Sequence, residues 1–551
     1  MADGSRSFNF PAPQLSKLRP GEIVVDLFAG GGGASEGLKQ ALGIDPALAY
    51  NHDAAAIGMH AANHPLTQHH REDIWHADPR IDVAGRPIGW FHASPDCTHF
   101  SQAKGGQPRS RKTRALSWVV LKWVGQLLAA DRRNGTHTAP RIISMENVWQ
   151  ILTWGPLVAK RCRKTGRVLR MDGSVAEPGE RVPVENQQLV PDKRHTGRTW
   201  AQFVGALRAH GYVVEWRKLK ACDYGAGTSR ERLFLIARRD GQPITWPDPT
   251  HGPGTAQPWV SAADCIDFSD TGRSIFNRPR PLAAATMARI AKGLKRHIID
   301  AAEPFFLTEF ANASNGRTWS ASEPLRTQCA GVKGGHFAVV SAALVKWRGD
   351  SIGHPVTDPV PTITAGGDCK RPAGAAHALG LMTAFLEQAN GGVAADNSGH
   401  DLRKPMSTIT ASGSQQRLVT VDLAQLSDEQ REGAERVAAF LINYYGNGTA
   451  LDLRDPLDTI TTRDRMALVT VHVRGVPHVI TDIRLRMLKP RELYLAQGFP
   501  AGYVIDRRAD GAALSVTEAV RMVGNSVPPP PLAALALANL DSPITAQQIA
   551  A

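Results

Sequence analysis

The 551-residue sequence has no apolar run approaching the ~20 residues of a membrane-spanning helix. Its first residues, MADGSRSFNFPAPQ, lack the hydrophobic core of a secretion signal. Both absences lead to the expectation of a cytoplasmic protein with no membrane partner. Cysteine is sparse: Cys97, Cys162, Cys222, Cys265, Cys329 and Cys369 are scattered, with no pair at the close spacing of a zinc site, so neither a metal nor a disulfide framework is implied. Negative charge is in deficit, with 51 Asp and Glu against 64 Lys and Arg. The net charge of +13 favours a polyanionic partner over a lipid surface.

A hydrophobic content of 42% is ordinary for a globular protein, and the length allows two or more domains. GEIVVDLFAGGGGASEGLKQAL reads as a buried strand from Glu22 to Phe28, a glycine loop from Gly30 to Gly33 and a helix from Ala34 to Leu42. This is the opening of a doubly wound fold, in which glycines let the backbone approach a ligand and the helix start offers unpaired N–H groups. A strand at ALAYNHD, a helix at AAAIGMHAAN and a turn at REDIW, carrying Asp73, follow. The short apolar runs GWFHAS, RIISMENV and RLFLIARR are separated by helical stretches such as ALSWVVLKWVGQLLAA. That alternation predicts an α/β fold with a mostly parallel, doubly wound sheet covered by helices on both faces.

Two segments interrupt the pattern. Residues 160–199 are polar and basic, with hairpin turns at Thr165-Gly166 and Asp172-Gly173, and read as an inserted surface arm. From about Gln242 the composition shifts to Pro, Gly and Thr, and four units recur: SEPLRTQCAG, TDPVPTITAG, RKPMSTITAS and RDPLDTITTR. Their prolines, Pro324, Pro359, Pro405 and Pro456, each precede a threonine by three residues, and three units run on to strands such as HFAVV, RLVTV and ALVTV. The repeats predict a second, β-rich domain built from related hairpins.

The thiol in SPDCTHFS, directly after the strand-like IGWFHA, needs context, because an isolated cysteine is more often a small buried hydrophobe than a nucleophile. Six segments supply it. DLFAGGGGASEGL, SPDCTHFS, MENV, SRERLFLIA, KPRELYLAQGFP and GNSVPPPPLAALALA resemble, in family order, the cofactor loop, nucleophile motif, glutamate motif, arginine motif, ninth block and last block of the cytosine-C5 DNA methyltransferases. The resemblance implies S-adenosylmethionine as cofactor and double-stranded DNA as partner, with a restriction endonuclease encoded nearby as a further one, and a monomer is expected. It implies a catalytic domain over residues 20–241, a target-recognition domain over 242–479, and a C-terminal return over 480–541 that completes the catalytic domain.

Under that resemblance Cys97 is the thiolate that adds to carbon 6 of a flipped cytosine, so that carbon 5 can attack a methyl group. Glu146 donates to or reads N3, Arg232 holds O2, and Arg230, two positions away on the same strand face, assists. The cofactor would lie along Asp26, Phe28, Ala29 and Gly30 to Gly32, including Gly31, with Asn51, His52 and Asp53 on the ribose side, Asp73 towards the adenine, and Asn525 and Ser526 returning from the far end of the chain. DNA contacts are expected from Lys104, Arg109, Arg111, Lys112 and Arg114 in a mobile basic loop after the cysteine. Others are expected from Lys333, Arg371, Arg417 and Arg463 in the repeats.

The sequence departs from the family at several positions. Asp96 stands where proline usually precedes the nucleophile, and its carboxylate is expected to raise the Cys97 pKa unless it points away. Thr98 replaces the usual glutamine after the cysteine, and Thr228 the usual glutamine of the arginine motif. Asn51 occupies the position of the acidic ribose contact. An RNA-acting relative would lack the long 242–479 segment, and a silent DNA-binding relative would not need Cys97, Glu146 and Arg232 together. Amino-group methyltransferases need an Asn- or Asp-Pro-Pro-aromatic motif, which is absent.

Overall fold

A computed structural model describes residues 13–97, 99–100, 110–282 except 268, 271 and 277, residues 287 and 290, and 482–540, together with the backbone of the strands between 306 and 481. The chain divides into two compact units. The first comprises residues 1–224, 230–250 and 497–551; the second comprises 225–229 and 251–496. The sequence boundaries at 242 and 480 thus stand beside packing boundaries after 250 and 496, and the helix of KPRELYLA belongs to the second unit.

The first unit is built on a seven-stranded sheet. Its strands are β1 (Ile23–Leu27), β2 (Leu48–Tyr50), β3 (Gln68–His70), β4 (Ile88–Ala93), β5 (Ile142–Asn147), β8 (Val213–Lys220) and β9 (Glu231–Arg238), in the order β3-β2-β1-β4-β5-β9-β8. The pairs among β1 to β5 are parallel, whereas β9 runs antiparallel to both β5 and β8. The strand order reverses between β1 and β4, so the ends of these two strands flank the crevice where such sheets bind ligands. β1, IVVDL, and β4, IGWFHA, are buried at every position because helices cover both faces of the sheet.

Helix α1 (Gly33–Leu42) follows β1, and α2 (Ala54–Asn63) follows β2. α3 (Pro79–Asp82) and α4 (Arg111–Arg114) are single turns, α5 (Trp118–Asn134) ends at Gly135 in the left-handed conformation, and α6 (Arg198–Ala209) leads to β8. One apolar core holds Trp123, Leu127 and Phe203 of α5 and α6 against Phe91, Ile143 and Leu235 of the sheet. The core on the opposite face holds Leu38 and Leu42 of α1 with Val24, Trp90 and Phe234. Leu532, Leu535 and Ala536 join that second core from the last helix of the unit, Pro529–Ala538. Residues some 500 positions apart in the chain therefore share one core, and the C-terminal segment is an integral layer of the unit.

Between β5 and α6 the arm forms an ordered platform. β6 (Leu157–Ala159) pairs antiparallel with β7 (Leu189–Pro191), and bridges Arg161 to Val168 and Arg170 to Gln187 extend the pairing through a hairpin.

The second unit contains an antiparallel ten-stranded sheet. Its strands are β10 (Arg273–Ser274), β11 (Phe306–Ala311), β12 (Thr318–Ser320), β13 (Gly335–Val339), β14 (Ala343–Lys346), β15 (His354–Pro355), β16 (Leu379–Gln388), β17 (Gln416–Ala424), β18 (Thr470–Val473) and β19 (Val476–Met487). The main path runs β10-β19-β17-β16-β13-β11-β12. The first four residues of HFAVV, all of RLVTV and the end of ALVTV fall on β13, β17 and β18, in keeping with a β-rich second domain. The four repeat prolines lie outside the described residues. After β19, helix α7 (Pro490–Ala496) buries Glu492, whose carboxylate accepts hydrogen bonds from the Asp267 and Lys489 backbone N–H groups and from Arg486.

Candidate active site

The chain leaves β4 at Ala93 and turns over the sheet edge through Ser94, Pro95 and Asp96 to Cys97. Two bonds hold the turn to the end of β1: the Ser94 N–H donates to Leu27 O at 3.2 Å and its hydroxyl to Phe28 O at 3.3 Å. A third comes from β5, where the fully buried Asn147 donates its amide to Pro95 O at 2.9 Å. The cysteine thus sits where the carboxyl ends of β1, β4 and β5 meet, partly exposed and with a free thiol.

Glu146 lies beside it, one residue before the end of β5 and almost fully buried. Because β9 runs antiparallel, Glu146 faces Phe234 and Asn147 faces Leu233, which brings Arg232 to the end of β5. Arg232 Nε lies 3.2 Å from Glu146 Oε1, an ion pair between two buried side chains whose angle falls short of a hydrogen bond and leaves that oxygen without a donor. Arg230, also buried, donates to Gly524 O at 3.0 Å and so ties the start of β9 to the C-terminal segment.

These neighbours set the protonation of the site. Burial pushes the Cys97 thiol up to about 11. The Arg232 charge pulls it down, Glu146 pushes it up, and Arg230 pulls it down again. Asp96 raises it too, but as the weakest of these influences, because this residue is exposed. The departure from proline before the nucleophile therefore perturbs the thiol less than burial does. Burial also raises Glu146 above the ordinary carboxyl range, against the opposing pull of Arg232 and Arg230. A carboxyl that leans towards its protonated form can donate a hydrogen bond, and a protonated thiol needs an incoming group to draw off its proton.

The glycine loop follows β1. Phe28 is partly exposed and held at φ 63°, a left-handed conformation that costs a non-glycine residue ~1 to 2 kcal/mol. Gly30 opens to free space, since a methyl group there would meet nothing nearer than Phe28 O at 3.9 Å. Gly32 differs: at φ 97°, a methyl group would lie 2.1 Å from the Tyr503 hydroxyl and 3.1 Å from His64 Nε2. Tyr503 donates its hydroxyl to Gly31 O at 2.8 Å, and His64 Nδ1 meets the buried Asp45 at 2.9 Å. Part of the glycine requirement is thus imposed by the chain's own packing rather than by an approaching ligand. α1 has no side-chain cap at Gly32, and in its first turn the Ser35 backbone N–H donates to the buried Asp26 carboxylate.

The remaining sequence-derived cofactor residues divide into exposed and engaged groups. Asp26 is fully buried and accepts the Ser35 hydroxyl at 2.7 Å, so it acts from beneath the loop. Ala29 is buried, and its N–H donates to Tyr50 O. Asn51 Oδ1 accepts the Asp53 N–H at 2.9 Å. Asp53 caps α2 through the N–H groups of Ala55 and Ala56 and pairs with Arg521 at 2.7 Å. His52, Asp73 and Asn525 are exposed, whereas Ser526 is buried and donates to Val527 O. Exposed donors and acceptors around an open glycine at the β1–β4 crevice fit a nucleotide-like cofactor.

Of the basic loop after Cys97, Arg111, Lys112 and Arg114 are described, and Lys104 and Arg109 lie outside the described residues. Arg114 is buried, set 4.6 Å from the Phe100 ring and donating to Gly155 O, so it anchors the loop. Lys333, Arg371 and Arg463, and the side chain of Arg417 on β17, lie outside the described residues. Asn147 and Tyr503 are the site residues that motif reading passed over. Asn147 stands within MENV, and its burial at the end of an apolar strand was the available signal.

A family model described as C-5 cytosine-specific DNA methylase matches residues 23–155 and 182–293. Over these two segments, which hold Cys97, Glu146 and Arg232, the chain is similar to this family. Methylases of this family take their methyl group from S-adenosylmethionine. Among curated proteins it is 26% identical over 232 residues to the type II methyltransferase M.AgeI of Thalassovita gelatinovora, which covers 41% of this chain and 42% of that one. M.AquIA of Picosynechococcus sp. is 24% identical, over 42% of this chain and 77% of its own length. M1.HphI of Haemophilus parahaemolyticus is 24% identical, over 41% and 48% respectively. The alignment with M.AgeI spans less than half the length of that relative. The family match passes over residues 156–181, most of the arm.

Proposed function

We propose that this protein methylates carbon 5 of cytosine in double-stranded DNA, within a chosen sequence and through a covalent bond to Cys97. The observation that carries this reading is the convergence of Cys97, Glu146 and Arg232 at the carboxyl ends of β4 and β5 and the start of β9. The target carbon is out of reach inside a duplex, so the base has to be flipped into this pocket. Glu146, held towards its protonated form, donates to N3 of the flipped base, and Arg232 supports the carbonyl oxygen at carbon 2. Both withdraw electrons from the ring and make carbon 6 electrophilic.

The Cys97 thiol gives its proton to water, its sulfur adds to carbon 6, and the electron pair of the carbon 5–carbon 6 double bond moves towards N3, where the proton offered by Glu146 stabilises the charge. Carbon 5 is then nucleophilic. S-adenosylmethionine supplies an electrophilic methyl group there. Phe28, the Gly30 backbone and Asn51 would hold the cofactor, with Asp73 at its adenine end. Loss of the carbon 5 proton to a base then lets the ring expel Cys97 and regain its double bond.

The type II methyltransferase relatives carry the restriction-modification setting to this chain as a proposal, with an endonuclease of matching site specificity as partner. The second unit supplies sequence choice, because a pocket that takes one base cannot read its neighbours. Bisulfite sequencing of DNA from cells expressing the chain tests the reading: methylcytosine at one recurring sequence supports it, and unmodified DNA alongside methylated RNA assigns the site to the other nucleic acid.

A further inference from the structure

We infer that the arm inserted between β5 and α6 is a second DNA grip, which holds phosphates outside the pocket through the tip of its hairpin. This rests on the proposed action on DNA and extends it to a hairpin, residues 160–170, that the family match omits. The arm is built to hold a shape. At its base the N–H groups of Thr199 and Trp200 donate to Trp154 O, and that of Asp192 donates to Pro156 O, so its two ends are stitched together. Further out, backbone bonds join Lys160 to Leu169 and Gln188, and Ala176, Val182 and Leu189 are buried.

Its charges are sorted. Residues 160–170 carry six cations, Lys160, Arg161, Arg163, Lys164, Arg167 and Arg170, and no carboxylate. The arm's own acids pair with two of the inner ones, Arg167 with Glu177 at 3.7 Å and Arg170 with Glu180, and Lys160 donates to the Gln188 side chain. At the tip, Arg161, Arg163 and Lys164 are exposed, and no described carboxylate lies within ion-pair distance of them. Three like charges around one tight turn repel one another, and a polyanion relieves that repulsion.

Placement points to the same partner. The arm grows from the end of β5, where Glu146 and Asn147 stand, through the short helix Trp149–Thr153. At its root Gly155 O accepts from Arg114, and Trp154 lies 5.3 Å from Trp118, so arm and loop after Cys97 share one foundation. The arm's root therefore stands at the strand end that carries Glu146, on the side from which a base would enter the proposed pocket.

The test measures binding of the full chain to duplexes with and without its methylated sequence, over a range of salt. In the variant Arg161→Gln, Arg163→Gln, Lys164→Gln, the plot of log affinity against log salt should lose up to ~0.9 in slope for each phosphate contact removed, equally on both duplexes. A variant with Arg161→Lys and Arg163→Lys keeps the charge and should keep the slope. An unchanged slope in the glutamine variant, or equal losses in both variants, overturns the inference. If the unaltered chain methylates DNA while the glutamine variant keeps its slope, only the arm's role falls. If the unaltered chain does not bind a duplex at all, both readings fall.

Discussion

Arg232 and Glu146 form a buried ion pair, Nε to Oε1 at 3.2 Å, with the Cys97 thiol in the field of both. The arginine opposes what burial does to each neighbour: it draws down a carboxyl and a thiol that desolvation raises, the thiol still standing at about 11 with that pull included. One cation therefore keeps two acids within reach of ionisation.

Removing that cation should move the pH dependence of methyl transfer. In Arg232→Ala, both Cys97 and Glu146 titrate higher, so the rise of the single-turnover rate with pH should shift to more alkaline pH. Its maximum should fall ~100- to 1000-fold, as when one preorganised charge stabiliser is lost. Arg232→Lys keeps the charge and should restore the pH position more than the rate. A profile unmoved in the alanine variant contradicts this role.

Asp26 predicts a stability effect with a defined sign. Burial raises its pKa from 3.8 to about 7, against the pull of the Ser35 hydrogen bonds. Between these values the folded state keeps a proton that the unfolded chain releases. The stability this provides is complete below pH ~4 and is lost as pH rises through about 7. Asp26→Asn removes the titration. Denaturant unfolding should show the wild type losing on the order of 2 to 4 kcal/mol more than the variant between pH 4 and pH 8. Parallel losses in the two proteins contradict the assignment.

The glycine loop separates packing from ligand access. Gly32→Ala meets the Tyr503 hydroxyl and a left-handed backbone, and should destabilise the fold by ~2 kcal/mol or more. Gly30→Ala should cost only the backbone strain, ~1 kcal/mol, because the space beside it is open. Adding Tyr503→Phe should recover part of the Gly32→Ala loss in thermal melts. Equal effects at the two glycines contradict the distinction.

Asn51 bears on cofactor affinity. Asp53 is already committed to the start of α2 and to Arg521, so it is poorly placed to replace an acidic ribose contact. Asn51→Glu should tighten S-adenosylmethionine binding by ~1 to 2 kcal/mol through a charge-assisted hydrogen bond. Calorimetry showing no gain, or a loss, counts against a ribose contact at this position.

The parallel core was legible because β1, β4 and β5 are apolar runs of strand length, and runs of that kind between helical stretches have few other solutions. The reversal of β9 was not, since RLFLIARR reads the same in either direction, and only pairing with β5 reveals which way it runs. Cys97, Glu146 and Arg232 were legible as residue types at strand ends. What the motifs hid were long-range partners: Tyr503 on Gly31, Arg230 on Gly524 and Arg521 on Asp53 join positions hundreds of residues apart, and no local pattern encodes them. Asp96 looked more disruptive in sequence than in space, because adjacency along the chain says nothing about where a side chain points.

The central claim is a covalent bond between Cys97 and the target base, and the most direct measurement traps it. Incubated with S-adenosylmethionine and a duplex carrying 5-fluorocytosine at the methylated position, the protein should form a denaturant-resistant complex, because fluorine at carbon 5 cannot leave as a proton does. Mass spectrometry should place the modified nucleotide on Cys97, and Cys97→Ser should form no complex and transfer no methyl group. Methyl transfer that persists in Cys97→Ser, or an adduct mapped to another residue, would contradict the account.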